Sequence, residues 1–165
     1  METSVMNTER LTMKELDLAD ADFIFELLNT PLWLRFIGNK NIRTKEDAEN
    51  YILKIQQNPT SHYWVVRLKE NAIPIGVVTF MKRDYLEDYN IGFAFLDQFA
   101  KKGYAYEASK RLFDEVKHQH KKIAATVLQD NNNSIQLLKK LGLQHEKEIL
   151  INNEPVQLFS ISIQC

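Results

Sequence analysis

The chain has 165 residues, of which 44% are hydrophobic and 26% charged, which is ordinary for a globular protein, and we assign residues 1–165 to a single domain. Its 21 basic and 22 acidic residues give a net charge of −1, which argues against general binding to nucleic acid or acidic membranes, because both need a strongly basic protein. The only cysteine, Cys165, excludes an intramolecular disulfide, so we expect a reducing, cytoplasmic location.

The N-terminal third of the chain predicts one strand and two helices. We find no apolar segment typical of a secretory signal before them, and no apolar run of the ~18 residues that span a membrane. The alternating segment RLTMKEL, residues 10–16, predicts a strand, and LADADFIFELLN has the apolar spacing of a helix that Pro31 closes. After an apolar connector, TPLWLRFIG, Thr44 and Asp47 resemble a capping box that opens a second helix. The apolar face of that helix is formed by Ala48, Tyr51, Ile52 and Ile55.

The middle of the chain changes from helical to alternating periodicity. Three β-rich segments, YWVVRL, IPIGVVTFM and YNIGFAFL, occupy residues 63–68, 73–81 and 89–96. Because only the short polar links KENA and KRDYLED separate them, we predict an antiparallel meander.

The C-terminal third predicts two helices and three strands. The first helix covers about residues 103–118, and its inward face carries Ala105, Ala108, Leu112, Phe113 and Val116. A buried strand, IAATVL, leads to a second helix, NNNSIQLLKKLG, with Asn131 near its start and Gly142 just after its end. The strands LQHEKEILI and VQLFSISI then flank a turn at NNEP. The order β-α-α-β-β-β-α-β-α-β-β predicts a mixed α+β domain.

The loop before the first C-terminal helix carries Lys101, Lys102 and Gly103. A helix N-terminus has unpaired N–H groups and a partial positive charge, which disfavours lysine there unless an anion binds. Gly103 would let the backbone approach such an anion closely, and Ala105 would keep the first helical turn uncrowded. The pattern suits a pyrophosphate, with the lysines as point charges beside it. The alternative is an ordinary turn with solvated lysines.

Two motifs in the second half of the chain carry a family resemblance. IGFAFLDQFAKKGYAYEA resembles a strand and the cofactor-binding motif of GNAT-superfamily N-acetyltransferases, and it is most similar to the branch that acetylates the N-terminal alanine or serine of ribosomal proteins. DNNNSIQLLKKLGL resembles the second motif of that branch, N-x-x-S followed by L-G-F. The resemblance covers about residues 9–163. It implies a GNAT-like α+β fold, in which about four helices flank a mixed, mostly antiparallel sheet of about seven strands.

The resemblance implies acetyl-CoA as cosubstrate and no metal. It assigns cofactor binding to nine positions of this sequence, namely Phe93, Phe95, Lys101, Lys102, Gly103, Tyr104, Ala105, Asn131 and Ser134. The loop N–H groups would hold the pyrophosphate, and the backbone of Phe93 and Phe95 would pair with the pantetheine arm as an added strand does. The backbone N–H of Phe95, or one beside it, would polarise the thioester carbonyl as an oxyanion donor.

The sequence departs from the family pattern at two catalytic positions. A tyrosine that many members use as general acid is replaced by Leu138, and Ser134 is the candidate substitute unless its hydroxyl only bonds to the helix backbone. A glutamate common in the strand before the loop is Asn90 here. No base is therefore obvious, and Glu87 and Asp88 either act through water or form a solvated loop pair.

The missing base bears on the amine acceptor. An α-amine has a pKa of about 7.7–8.0 and a lysine side chain about 10.4, so the α-amine costs about 3.5 kcal/mol less to deprotonate. We therefore expect a peptide or protein N-terminal α-amine, or a small amine of lowered pKa, as acceptor. Trp33, Phe36, Tyr85 and Tyr89 are candidates to line its groove, or else are core residues. The four histidines have no metal-ligand spacing.

Three functions remain open from the sequence. The first is an acetyl-CoA-dependent N-acetyltransferase that works by direct attack of the amine in a ternary complex. The second is a catalytically weak acyl-CoA-binding or regulatory module on the same fold, which Leu138 and Asn90 keep possible. The third is a protein-interaction domain with no affinity for CoA. The sequence does not distinguish a monomer from a homodimer.

Overall fold

A computed structural model describes residues 5–163, in which eight strands form one sheet. The strands are β1 (Val5–Asn7), β2 (Leu11–Glu15), β3 (Ser61–Leu68), β4 (Pro74–Met81), β5 (Asn90–Phe95), β6 (Lys122–Val127), β7 (Gln144–Ile151) and β8 (Glu154–Ser162). Their spatial order is β1-β2-β3-β4-β5-β6-β8-β7, and every pair is antiparallel except β5 and β6. The predicted mixed, mostly antiparallel fold is therefore confirmed. The strand that sequence reasoning missed is β1, which is too short to show a periodicity.

Five α-helices pack on the two faces of the sheet within the described residues. They are α1 (Ala21–Leu28), α2 (Pro31–Phe36), α3 (Lys45–Gln57), α4 (Tyr104–Val116) and α5 (Asn132–Leu141). The segment interpreted as an apolar connector contains α2, a helix that the predicted element order lacked. Thr30 caps this helix by accepting a hydrogen bond from the Trp33 N–H at 3.2 Å, and Pro31 occupies its first turn.

The sheet separates two apolar cores because successive residues of a strand point to opposite faces. The core under α4 and α5 contains the predicted inward residues Ala108, Leu112, Phe113 and Val116. The core under α1, α2 and α3 contains Ala48 and Ile52, with Tyr51 and Ile55 packed against it. The capping box of α3 is confirmed, since Thr44 Oγ1 accepts from the Asp47 N–H at 3.0 Å and the Asp47 carboxylate accepts from the Thr44 N–H at 3.1 Å.

Between residues 5 and 163, no helix is long and apolar enough to cross a membrane. Over the same residues, no three histidine, aspartate or glutamate side chains converge in the way that a metal ion requires. Cys165, on which the expectation about disulfides depends, lies outside the described residues.

Candidate active site

Strands β5 and β6 run parallel but separate after a single residue pair. That pair is Asn90 with Ala124, and the Ala124 N–H donates to the Tyr89 carbonyl at 2.9 Å. Backbone groups alternate sides along a strand, so the N–H and C=O groups of Phe93 and Phe95 also point toward β6. No strand of residues 5–163 pairs with them on that side. The two predicted cofactor-binding residues thus present an open strand edge.

The side chain of Phe95 lies away from this open edge. A Cβ atom added to Gly76 on β4 would lie 2.4 Å from Phe95 Cδ2 and 2.6 Å from Phe95 Cγ, so the ring covers the glycine. Gly76 and Phe95 are register partners on the face of the sheet that packs against α4 and α5. The absence of a side chain at Gly76 therefore lets the ring lie over β4. It leaves free the gap between β5 and β6, which opens beyond the pair of Asn90 and Ala124.

The loop between β5 and α4 has the geometry expected of an anion site. Lys101 has a φ of 62° and Gly103 a φ of 82°, both left-handed. The first helical hydrogen bond runs from the Glu107 N–H to the Gly103 carbonyl at 3.0 Å. The backbone N–H groups of residues 101–106 donate no hydrogen bond to any group in the described chain. Such a run of free N–H groups at a helix N-terminus favours a phosphate ligand.

Lys101 has a left-handed backbone, which glycine adopts without steric cost. A left-handed conformation costs a non-glycine residue roughly 1–2 kcal/mol, and Lys101 bears that cost. Strain of this kind is concentrated at functional sites, where the surrounding structure enforces it.

Glu107, which completes the first motif, is fully engaged with the turn between β1 and β2. Its carboxylate accepts hydrogen bonds from Thr8 Oγ1, from the Arg10 N–H at 3.0 Å and from Arg10 Nε at 2.7 Å. Partial burial alone would raise the pKa of Glu107, but these hydrogen bonds outweigh it and hold the pKa below its ordinary value. A second donor of the same arginine, Arg10 Nη1, reaches the Lys102 carbonyl at 3.0 Å. Sequence reasoning missed Arg10 as part of the site, since it marked only the start of a strand.

The N-terminus of α5 lies on the other side of the gap, because α5 follows β6 as α4 follows β5. Asn131 caps α5 by accepting a hydrogen bond from the Ser134 N–H at 3.4 Å. The Ser134 hydroxyl is half-buried and makes no hydrogen bond with any other part of the described chain. Leu138, one turn further along, is 1% exposed and packs in the core under α4 and α5. The second motif thus places one free hydroxyl near the gap.

Asn90 lies where β5 and β6 diverge, on the face that packs against α1, α2 and α3. It is 5% exposed, and its Nδ2 donates to the Asp88 carbonyl at 3.2 Å. Its Oδ1 is buried and has no hydrogen-bond partner among the described residues. Of the two upstream carboxylates, Glu87 is exposed and Asp88 is half-buried.

Three of the four aromatic residues named as candidates for the acceptor groove do not come together. Trp33 is 4% exposed and packs in the core under α1, α2 and α3. Tyr89 packs against the opposite core, where its ring stacks on Phe80 with centroids 4.9 Å apart and lies 4.9 Å from the ring of His120. Tyr85 is 50% exposed and lines a surface pocket of about 330 Å³ near the end of β4. A shared role in acceptor binding stays a prediction.

A row of residues crosses the sheet from α3 to the gap on the face that carries Asn90. Tyr63, Thr79 and Gly92 are register partners on β3, β4 and β5. A Cβ at Gly92 would lie 2.6 Å from Thr79 Oγ1, so the glycine lets the threonine hydroxyl approach β5 closely. At the far end of the row, the Tyr63 and Tyr51 hydroxyls are 3.2 Å apart, and burial raises the pKa of both groups. Both tyrosines therefore stay protonated near neutral pH.

Sequence and structure comparisons agree on one family. Residues 10–144 match the model of the acetyltransferase (GNAT) domain. The chain is similar to the "Uncharacterized N-acetyltransferase YnaD" of Bacillus subtilis (strain 168), with 26% identity over 144 residues that cover 86% of this chain and 83% of the relative.

Among solved structures, the chain is similar to a ribosomal-protein-S5-alanine acetyltransferase from Vibrio fischeri, with a TM-score of 0.79, 20% identity and coverage of 97% of each chain. It is equally similar to a spermidine N-acetyltransferase from Vibrio cholerae, solved with CoA and spermine, with a TM-score of 0.79, 20% identity and coverage of 94% of this chain and 96% of the other. At these identities the two structures establish the fold. Because the family match covers well over half of the sequence, this chain belongs to the GNAT acetyltransferase family and is an acetyl-CoA-dependent acetyltransferase.

Proposed function

We propose that this enzyme transfers the acetyl group of acetyl-CoA to a primary amine, either a peptide or protein N-terminal α-amine or a small amine of lowered pKa, by direct attack in a ternary complex. The observation that carries the proposal is the open edge of β5 beside a loop of free N–H groups. A strand edge pairs with an extended amide-containing arm, and the loop binds the diphosphate to which that arm is attached. A cytoplasmic location is part of the same proposal.

Each predicted cofactor-binding group has a place in this arrangement. The N–H groups of residues 101–105 hold the pyrophosphate, with the side chains of Lys101 and Lys102 adding positive charge. The backbone of Phe93 and Phe95 pairs with the pantetheine arm. Asn131 and Ser134 approach it from the β6 side of the gap. The fit is supported by the left-handed loop residues and by the hydroxyl of Ser134, which no group of the described chain engages.

The reaction needs three contributions from these residues. The amine nitrogen attacks the thioester carbonyl carbon, so a C–N bond forms, the C–S bond breaks and CoA leaves as a thiolate. The Phe95 N–H, or one beside it, stabilises the negative charge on the carbonyl oxygen. The Ser134 hydroxyl relays a proton from solvent to the departing thiolate and is neutral again once CoA leaves as the thiol, and the proton lost by the amine passes to solvent.

The choice of an amine with a low pKa is supported by the groups on the face of the sheet that carries Asn90. Asn90 cannot act as a base, and the pKa values of Tyr51 and Tyr63 are raised by burial, so both hydroxyls remain protonated. An α-amine is substantially neutral near pH 8, whereas a lysine side chain is not. The two solved relatives named above act on a ribosomal-protein alanine and on spermidine by their descriptions, so acceptors of both kinds occur on this fold.

Thiol release with matched acceptors tests the proposal. One peptide has a free N-terminus and acetylated lysines, its partner has a blocked N-terminus and free lysines, and spermidine is the third acceptor. We expect the peptide with the free N-terminus to exceed the lysine peptide in kcat/KM at pH 7.5, with the difference narrowing as the pH rises. Preference for the lysine peptide would contradict the assignment. A chain that is stabilised by acetyl-CoA, by about 2.7 kcal/mol at 100 times Kd, but releases no thiol would instead be the acyl-CoA-binding module.

A further inference from the structure

Arg10 connects the first turn of α4 to the loop before it. Its Nε pairs with Glu107 Oε1 at 2.7 Å, and its Nη1 donates to the Lys102 carbonyl at 3.0 Å. Its guanidinium carbon lies 4.4 Å from the centre of the Tyr104 ring. One side chain therefore contacts Lys102 and Tyr104 of the predicted pyrophosphate loop and Glu107 in the first turn of α4, from a position more than ninety residues away in sequence.

The bond to the Lys102 carbonyl fixes the direction of the next N–H group. In a trans peptide the C=O and N–H groups point in opposite directions. Because the Lys102 carbonyl points at Arg10, the Gly103 N–H points away from Arg10. A central peptide in a tight turn can flip at little cost when a neighbouring residue tolerates a positive φ, as Gly103 does at 82°. The Arg10 bond selects one of the two orientations.

We propose that Arg10 is a positioning residue for the pyrophosphate of acetyl-CoA, which it serves by holding the Lys102–Gly103 peptide with its N–H directed to the anion site. The inference rests on the proposed function of this loop. Arg10 acts through the backbone and does not touch the cofactor.

The surroundings of Arg10 argue against a direct contact with a phosphate. Its charge is matched by Glu107, whose carboxylate it contacts through both a backbone and a side-chain donor. Its remaining nitrogen, Nη2, would lie only 3.3 Å from a Cβ at Gly103, so it faces the loop backbone. A surface pocket of about 350 Å³ adjoins Arg10 and Tyr104, and a direct contact with the adenosine end of CoA would have to occur there.

Truncated acyl donors separate the positioning role from a direct one. Arg10→Lys keeps the positive charge for Glu107 but loses the planar fork that reaches both Glu107 and Lys102. The matched control is Arg111→Lys, since Arg111 also joins this N-terminal region to α4, through a bond from its Nε to the Asn7 carbonyl at 3.3 Å. The kinetics of both variants are measured with acetyl-CoA, acetyl-dephospho-CoA and acetyl-pantetheine, and thermal melts confirm that both are folded.

We expect Arg10→Lys to raise KM about tenfold for acetyl-CoA, which corresponds to about 1.4 kcal/mol, with kcat within twofold of wild type. The same increase is expected with acetyl-dephospho-CoA, which keeps the diphosphate, and no increase with acetyl-pantetheine, which lacks it. Arg111→Lys is expected to match wild type with all three donors.

Three results would overturn the inference. An equal KM increase with acetyl-pantetheine would assign Arg10 a general structural role. Loss of the effect with acetyl-dephospho-CoA would assign it to direct binding of the 3′-phosphate. An unchanged KM with acetyl-CoA would show that the peptide orientation does not depend on the arginine. If wild type itself used acetyl-pantetheine as well as acetyl-CoA, the assignment of the loop to the pyrophosphate would fail instead, which is a failure of the proposed function.

Discussion

Gly76→Ala tests whether the ring of Phe95 is kept out of the gap between β5 and β6. The added Cβ would lie 2.4 Å from Phe95 Cδ2, 2.6 Å from Phe95 Cγ and 2.6 Å from the Ala94 carbonyl oxygen. Carbon atoms pack at about 3.5–4.0 Å, so the ring has to move by roughly 1 Å or more. Since β4 blocks one direction, the ring moves toward the open edge of β5, where the pantetheine arm is proposed to lie.

The size of the effect follows from this overlap. Overpacking of a tight site costs about 1–3 kcal/mol, and a chain of this length loses roughly 2–4 °C in Tm for each kcal/mol. We expect Gly76→Ala to lower Tm by roughly 2–12 °C and to raise KM for acetyl-CoA. We expect the acceptor to approach from the opposite face of the sheet, where Asn90 and Gly92 lie, and Gly76 faces the core under α4 and α5. The KM for the acceptor should therefore change less.

A double-mutant cycle with Phe95→Ala provides the decisive measurement. Two of the three close atoms belong to the Phe95 ring, so its removal should relieve part of the strain. The free energies of unfolding from urea titrations should then be non-additive by about 1 kcal/mol, with the double variant more stable than the sum predicts. Gly92→Ala combined with Phe95→Ala is the control and should be additive to within about 0.5 kcal/mol. If the free energies for Gly76→Ala and Phe95→Ala were also additive, the argument that the added Cβ displaces the Phe95 ring would be refuted.

Three further outcomes are expected. Gly92→Ala should raise the acceptor KM more than the acetyl-CoA KM in steady-state kinetics, since its Cβ would meet Thr79 Oγ1 at 2.6 Å on the acceptor face, and an effect confined to acetyl-CoA would contradict this. Gly103 has a φ of 82°, so Gly103→Ala should lower the free energy of unfolding in urea by about 1–2 kcal/mol and weaken CoA binding in calorimetry. Unchanged CoA affinity would count against the assignment of this loop to the pyrophosphate. Burial lowers the pKa of His120, so the folded state binds its proton less readily than the unfolded state. Its contribution to stability is present above the ordinary pKa of 6.5 and is lost as pH falls through the lowered value. The free energy of unfolding, measured in urea at pH 5 and 7.5, should therefore fall less in acid for His120→Leu than for wild type. Part of the acid loss should persist in the variant, because burial also lowers the pKa of His62. An unchanged pH dependence would show that His120 does not contribute to the loss of stability in acid.

Local signals predicted most of the elements correctly. The capping box at Thr44 and Asp47 placed the start of α3 because a cap is made by residues three positions apart. The same holds for Asn131 at the start of α5 and for the left-handed glycines Gly103 and Gly142 at helix ends. Each of these signals depends on neighbours in sequence, which a single sequence displays in full.

What sequence reasoning missed depends on contacts between distant residues. The pair of Arg10 and Glu107 joins residues 97 positions apart, and neither residue type is unusual where it stands. Sequence reasoning missed the helix α2 because its apolar residues do not lie on one buried face. Leu32 and Leu34 are exposed, whereas Trp33 between them is buried, and an amphipathic helix of normal length does not show this pattern. Short helices are defined by their caps and tertiary packing more than by their periodicity.

The two strand glycines nearest the gap divide the site between the faces of the sheet. Gly76 admits the Phe95 ring on the face of α4 and α5, and Gly92 admits the Thr79 hydroxyl on the face of α1, α2 and α3. A cofactor that enters from the α4 loop and an amine that approaches from the opposite face would meet only at the gap, where Asn90 marks the point at which β5 and β6 part. Perturbations on one face should therefore act on one substrate, and the pair of alanine substitutions at Gly76 and Gly92 measures that separation directly. If both raised the KM of the same substrate, the two reactants would have to share a face, and the proposed direction of attack would have to be abandoned.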